Sequence, residues 1–212
     1  MSVIPLAFER TGIMSLNTIH TTEQYAEHKL DLAEGGRWTE LVAGRIVTLQ
    51  PPDDEHGNVV RNLMLAFSKF AHQAGRGYAC FEIGLVTARH PDTVRCPPAC
   101  LFLDGTPFAE VDNVIAGTRP AVIVEIASTN DRRRRMDQCV REYQQMDVPL
   151  VWVMDPLEKQ VHVFQHNRTP QRFSQQQILY GSFVLDGFEV PVGDLFALPP
   201  WWNAKVERSP TA

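Results

Sequence analysis

Apolar residues recur along the chain with two periods, and the points where one gives way to the other mark its elements. In "TIHTTEQYAEHKLDLAEGG" a helix is predicted from a cap at Thr21 or Thr22 to a stop at Gly35–Gly36. "RWTELVAGRIVTLQPP" alternates around Gly44, which predicts a hairpin of two short strands closed by Pro51–Pro52. The longest helical pattern is "DDEHGNVVRNLMLAFSKFAHQAGRG", with Val59, Leu63, Ala66, Phe67 and Phe70 on one stripe. Acidic residues open it and Gly75 ends it, so a helix is predicted at about 55–74.

Strand-like runs follow: "YACFEIGLVTA", "ACLFL" and "PAVIVEIAS". The last is almost continuously apolar, the pattern of a central strand buried on both faces. "DRRRRMDQCVREYQQMD" predicts a second helix at about 131–146, with Val140, Tyr143 and either Met146 or Gln144 facing inward. "PLVWVMDP" and "KQVHVFQH" pair across Pro156–Glu158, and short strands are expected around Phe173, Ile178–Leu179, Phe183–Leu185 and Phe188–Val190. There is no internal repeat and no low-complexity linker. The order of elements, with a strand–helix–strand core near 121–154, predicts one α/β domain over 21–198. A flexible segment is expected at 1–20 and a C-terminal tail at 199–212.

The composition is that of an ordinary soluble globular protein: 212 residues, 44% hydrophobic and 21% charged. A net charge of -5 argues against general affinity for nucleic acid and leaves room only for a local basic groove. No apolar run reaches the roughly 18 residues that span a membrane, and the start lacks the basic region of a signal peptide. Cys80, Cys96, Cys100 and Cys139 show no CxxC spacing, so free thiols in a reducing cytoplasm are expected.

Glu125 is the most informative residue. It interrupts a run otherwise suited to a dry sheet centre, where a lone ionised carboxylate costs several kcal/mol. Such a residue takes a metal, a cation or a shifted pKa. The structural alternative is a Glu at the exposed strand end, paired with an arginine of the next turn. Glu40 is a second carboxylate ahead of the long helix, and Arg132–Arg135 open the helix after the Glu125 strand. An arginine run is usually a solvated face; beside a buried carboxylate it can also cradle phosphate. His162 and His166 flank a strand and read as surface residues. Trp201–Trp202, after Pro199–Pro200, read as a terminal latch or a homodimer contact.

Four stretches, in order and covering about Thr22 to Leu198, resemble the restriction-endonuclease family often called Uma-two, a branch of the PD-(D/E)xK nucleases. "RWTELVAGRIV" is similar to its R-Y-E-L-I-D-G-E-L opening and places Glu40 on the family's N-terminal glutamate. "PPDDEHGNVVRNL" resembles S-P-x-x-x-H and places His56 on its histidine. "PAVIVEIAST" resembles P-D-L-V-V-E-V-L-S-P and places Glu125 on its metal-binding glutamate. "REYQQMDVPLVWVMDP" resembles Y-x-x-x-G-V-P-E-Y-W-L-V-D-P. The resemblance implies a restriction-endonuclease-like mixed, curved β-sheet flanked by helices. It also implies an Asp and a Glu holding Mg²⁺ at a DNA phosphodiester, with a lysine that orients the attacking water.

Two positions depart from that pattern. Where the family has V-R-x-P-D-V-A-F-V this chain has "VRCPPACLF", so the metal-binding Asp falls on Pro98; the lysine position falls on Cys139. Proline offers no ligand and a thiol no fixed positive charge. Asp104 shares the strand parity of Pro98 but lies roughly 20 Å along, and Asp92 and Asp131 reach the site only through unusual loops. Arg135, one turn before Cys139, leans toward the site but stays protonated. A thiol-lined pocket for a softer ion such as Zn²⁺, using Cys100 and Cys139 near His56 or Glu125, is a further alternative; buried apolar cysteines are the structural one. The expectation is a nuclease-fold protein whose catalysis is impaired, the alternative a non-catalytic DNA-binding or protein-interaction module on that fold.

Overall fold

The computed structural model describes residues 18–203. Most of the expected flexible segment at 1–20 and of the tail at 199–212 therefore lies outside the described residues. Helix α1, Thr22–His28, begins at a capping box. The Thr21 hydroxyl accepts from Gln24 N–H at 3.3 Å, and the Gln24 side chain accepts from Thr21 N–H at 2.9 Å. The predicted helix does not run on to Gly36. Leu32 is extended, and two short 3₁₀ turns, Lys29–Asp31 and Ala33–Gly36, fill the remainder.

The hairpin forms as predicted, from β1, Thr39–Val42, and β2, Arg45–Thr48. Helix α2, Asp54–Ala74, opens on Asp53, whose carboxylate accepts from His56 N–H at 2.8 Å, and closes on Gly75 in the left-handed region at φ 64°. Strands β3, Tyr78–Cys80, β4, Leu85–Ala88, β5, Thr93–Arg95, β6, Ala99–Phe102, and β7, Val122–Ile126, come next. Helix α3, Asn130–Gln145, leads to β8, Leu150–Asp155, and β9, Gln160–Gln165. Strands β10, Gln171–Ser174, β11, Ile178–Tyr180, and β12, Glu189–Pro191, precede two single-turn helices, Val192–Leu195 and Pro200–Asn203. The stretch Phe183–Leu185, predicted as a strand, is a turn: Leu185 N–H closes on Gly181 and Phe188 N–H on Leu185.

The strands do not make one sheet. They form a six-stranded sheet in the order β10-β9-β8-β7-β6-β3, a four-stranded one in the order β2-β1-β5-β4, and the pair β11-β12. The division falls inside "YACFEIGLVTA". Its first third becomes β3 in the large sheet and its last third β4 in the small one. Between them Glu82 takes φ 54°, and Gly84 exchanges backbone hydrogen bonds with Val114 and Ala116. A Cβ on Gly84 would lie 2.8 Å from the Val114 carbonyl oxygen, a backbone contact too close for any other residue without a shift of the chain.

β7 lies inside the six-stranded sheet, antiparallel to β6 and parallel to β8, with α3 as the crossover. Alternation along it divides the core. Val122, Val124 and Ile126 pack with Leu63, Phe67 and Trp152 under α2. Ile123 packs with Met136, Cys139, Val140 and Tyr143 of α3. Glu125 shares the parity of Ile123 and so faces α3. In the small sheet Leu41 and Val94 pack against Tyr25 of α1. Their neighbours Glu40 and Arg95 therefore point the other way, toward the same helix α3.

Candidate active site

Three elements bring charge to one place. β7 supplies Glu125, the small sheet supplies Glu40 and Arg95, and α3 supplies Arg135, Cys139, Glu142 and Tyr143. Glu40 is 0% exposed, Arg95 2% and Glu125 1%. Arg95 is clamped on both sides. Its Nε and Nη2 donate to the two oxygens of Glu142 at 2.7 and 2.8 Å, and its Nη1 donates to Glu40 Oε2 at 3.0 Å. Arg135 Nη1 donates to that same Glu40 oxygen, and Cys96 N–H donates to Glu40 Oε1 at 3.1 Å. Glu125 accepts from the Tyr143 hydroxyl at 2.6 Å.

Burial is the largest influence on the Glu125 carboxyl and raises its pKa; the positive charge of Arg135 opposes this and the negative charge of Glu40 adds to it. The proton is thus held more tightly in the folded protein than in the unfolded chain. The protonated carboxyl contributes stability below the ordinary glutamate range, and that contribution is lost as pH rises through the raised value. Glu125→Gln, which keeps an acceptor for Tyr143, should therefore melt close to the native protein at about pH 4 and above it at about pH 8. Thermal melts across this range test the expectation; a pH-independent difference would refute it.

His56 stands in the first turn of α2 with Nδ1 3.0 Å from Ser128 Oγ. Burial, then the neighbouring Arg132 charge, pull its pKa down to about 4, so the imidazole is neutral near pH 7. A narrow pocket opens between His56, Lys29, Thr39, Pro98, Arg132 and Arg135. Pro98 is buried in its wall and offers no polar atom. Lys29 reaches across to Cys96, with Nζ 3.4 Å from Sγ.

The four arginines do not form one patch, because consecutive residues of a helix point about 100° apart. Arg132 is buried and donates to the Gln50 carbonyl at 2.7 Å. Arg133 pairs with both oxygens of Asp155 at 3.0 and 3.1 Å. Arg134 is exposed. Only Arg132 and Arg135 reach the pocket. Nor do the other carboxylates substitute for Pro98. Asp92 is held down to about 2, chiefly by Thr22 N–H, and Asp131 accepts from Gln50 N–H at 2.7 Å. Cys139 and Cys100 lie in the apolar layer between α3 and the sheet, and burial raises both thiols.

A divalent cation is not suited by this donor set. The oxygens of Glu40 already accept from two guanidinium groups and a backbone N–H, and Glu125 is engaged by Tyr143. Among the described residues no group of three or more His, Cys, Asp and Glu side chains is arranged to hold a metal ion. Arg95, Glu142 and Lys29 are members of the site that the sequence reading missed. Arg95 carried a usable signal, a charge between Val94 and Cys96 in a strand-like run, the same anomaly that singled out Glu125.

The fold has a solved counterpart. A crystal structure titled "a putative nuclease belonging to DUF820", from Anabaena variabilis ATCC 29413, superposes with a TM-score of 0.66 at 16% identity, covering 81% of this chain and 96% of that one. No curated protein matches the chain. The family model Uma2, described as "Putative restriction endonuclease", matches residues 22–193. Since that match spans most of the chain, the protein belongs to the Uma2 family of nuclease-like proteins.

Proposed function

We propose that this is a nuclease-fold protein that binds DNA through its phosphates and hydrolyses it weakly or not at all. One observation carries the reading. The pocket beside Arg135, the partner of Glu40, has Pro98 in its wall, where a metal-binding carboxylate belongs by resemblance, and Lys29 and Arg132 around it. Arg135 is engaged by Glu40, but Lys29 and Arg132, whose hydrogen bonds go to the neutral oxygens of Gln50 and Thr129, leave positive charge that favours a phosphate in a chain of net charge -5. In a working relative the expected roles are metal binding by Glu125, with Glu40 and His56 beside it and Mg²⁺ as the ion that polarises the phosphate. The cytoplasm suits four free thiols, and the 54%-exposed Trp201 is a candidate contact for a homodimer.

Two measurements on the purified protein test the proposal. Supercoiled plasmid with Mg²⁺ or Mn²⁺ should remain unnicked, and nicking that Glu125→Ala abolishes would restore the enzyme. Duplex DNA in EDTA at low salt should be bound, with affinity falling as salt rises because counterions are released. No binding at low salt would sink the DNA reading. It would favour a protein partner instead, for which a cleft of ≈ 470 Å³ bordered by the exposed Leu30, Phe81 and Val111 is available.

A further inference from the structure

We infer that the guanidinium of Arg135 is a resident cation that occupies the ground between Glu40 and Glu125 and keeps a divalent ion out. The inference rests on the family placement behind the proposed function, but it concerns the charge of the site rather than its partner.

Two carboxylates aimed at one spot from separate sheets need positive charge between them. β1 aims Glu40 and β7 aims Glu125 at the face of α3. Arg135 sits on that helix one turn before Cys139, and long helical side chains lean toward the N-terminus, which brings its head group back over the carboxylates. Nη1 is bonded to Glu40. Among neighbouring charges Glu125 and then Glu40 do most to hold the Arg135 charge in place against its own burial. Nε is buried without any acceptor. The guanidinium is therefore not here because every N–H is satisfied; its bond to Glu40 holds it.

Such a cation is hard to displace. It is tethered through the helix, so its effective concentration at the site is on the order of millimolar or more, whereas a free metal ion must shed water and compete. Loss of the Asp at Pro98 and of the Lys at Cys139 is thus not the whole departure: restoring them alone leaves the ion's place filled.

Mn²⁺ titration by calorimetry, without DNA, separates these possibilities. The native protein and the Pro98→Asp/Cys139→Lys variant should both bind Mn²⁺ poorly. Adding Arg135→Ala to that pair should tighten binding at least about tenfold, since removing one close positive charge is worth more than the energy a tenfold change requires. Equal affinity of the double and triple variants would overturn the inference, as would tight binding by the native protein. If the triple variant does not fold, Arg135→Gln in the native background serves. It keeps an N–H for Glu40 but no charge, and Tb³⁺ luminescence should report at least about tenfold tighter ion binding than in the native protein; no gain overturns the inference. Failure to bind DNA would remove the proposed function while leaving this result untouched.

Discussion

Trp152→Ala should destabilise the protein by about 3–5 kcal/mol, whereas Trp152→Phe should cost less than about 1.5 kcal/mol. Trp152 lies on β8 with no exposed surface. Its ring stacks on Phe67 of α2 at 5.8 Å and 20° and meets Phe188 at 5.3 Å. Truncation to Ala opens a cavity at the contact between helix, sheet and C-terminal loop, in a core too well packed to close over it. The indole Nε1 is buried without a partner, which costs about 1–3 kcal/mol. Phenylalanine removes that penalty while keeping most of the stacking, so the loss of volume and the removal of a buried unpaired N–H offset. Urea unfolding of the three proteins checks the ordering. Equal losses for Ala and Phe would mean that the indole N–H is satisfied after all.

Core positions such as Leu63 and Phe67 are readable because local pattern and tertiary packing ask for the same thing. The unbroken apolar run around Val122–Ile126 belongs to a strand covered on both sides, and β7 is covered by α2 on one face and α3 on the other. The stop at Gly75 is local and equally legible, as is a cap at Thr21 or Thr22, which the structure assigns to Thr21. What escaped depends on the path of the backbone through space. The break at Phe81–Gly84 leaves the apolar pattern intact; it is set by the close approach of Val114–Ala116, from some thirty residues further on. For the same reason the division into separate sheets is not visible in a pattern whose family resemblance implies one curved sheet. Glu125 stands out as a charge in an apolar run and Glu40 as a second carboxylate ahead of the long helix, and both are buried. The arginine on α3 that pairs with Glu40 is not legible, because helix rotation decides which of four consecutive arginines turns toward it. Rotation sends Arg133 to Asp155 and Arg135 to Glu40.

The same charge cluster makes Arg95 the most costly single position to neutralise. Arg95→Met should destabilise the protein by about 3–5 kcal/mol, a fall in Tm of roughly 10 °C for a chain of this length. The reason is not the strength of its ion pairs. Arg95 lies between Glu142 and Glu40, with 2% of its own side chain exposed and none of Glu40's. Removing it strands two carboxylates where water cannot reach one of them and reaches the other poorly. Glu142 would lose both oxygens of a bidentate clamp and keep only Thr87 and Gln138 as donors, and Glu40 would be left to Arg135 and one backbone N–H. If the cost lies in those stranded charges, neutralising them as well should recover stability. Arg95→Met combined with Glu40→Gln and Glu142→Gln should then melt well above Arg95→Met alone, as buried ionic triads replaced together are often neutral or better. A triple variant no more stable than the single one would show that Arg95 acts through packing of its aliphatic stem. Recovery would show that the charge cluster is costly to break yet dispensable for folding, leaving the retention of Glu40 opposite Glu125 to be explained by what the site binds.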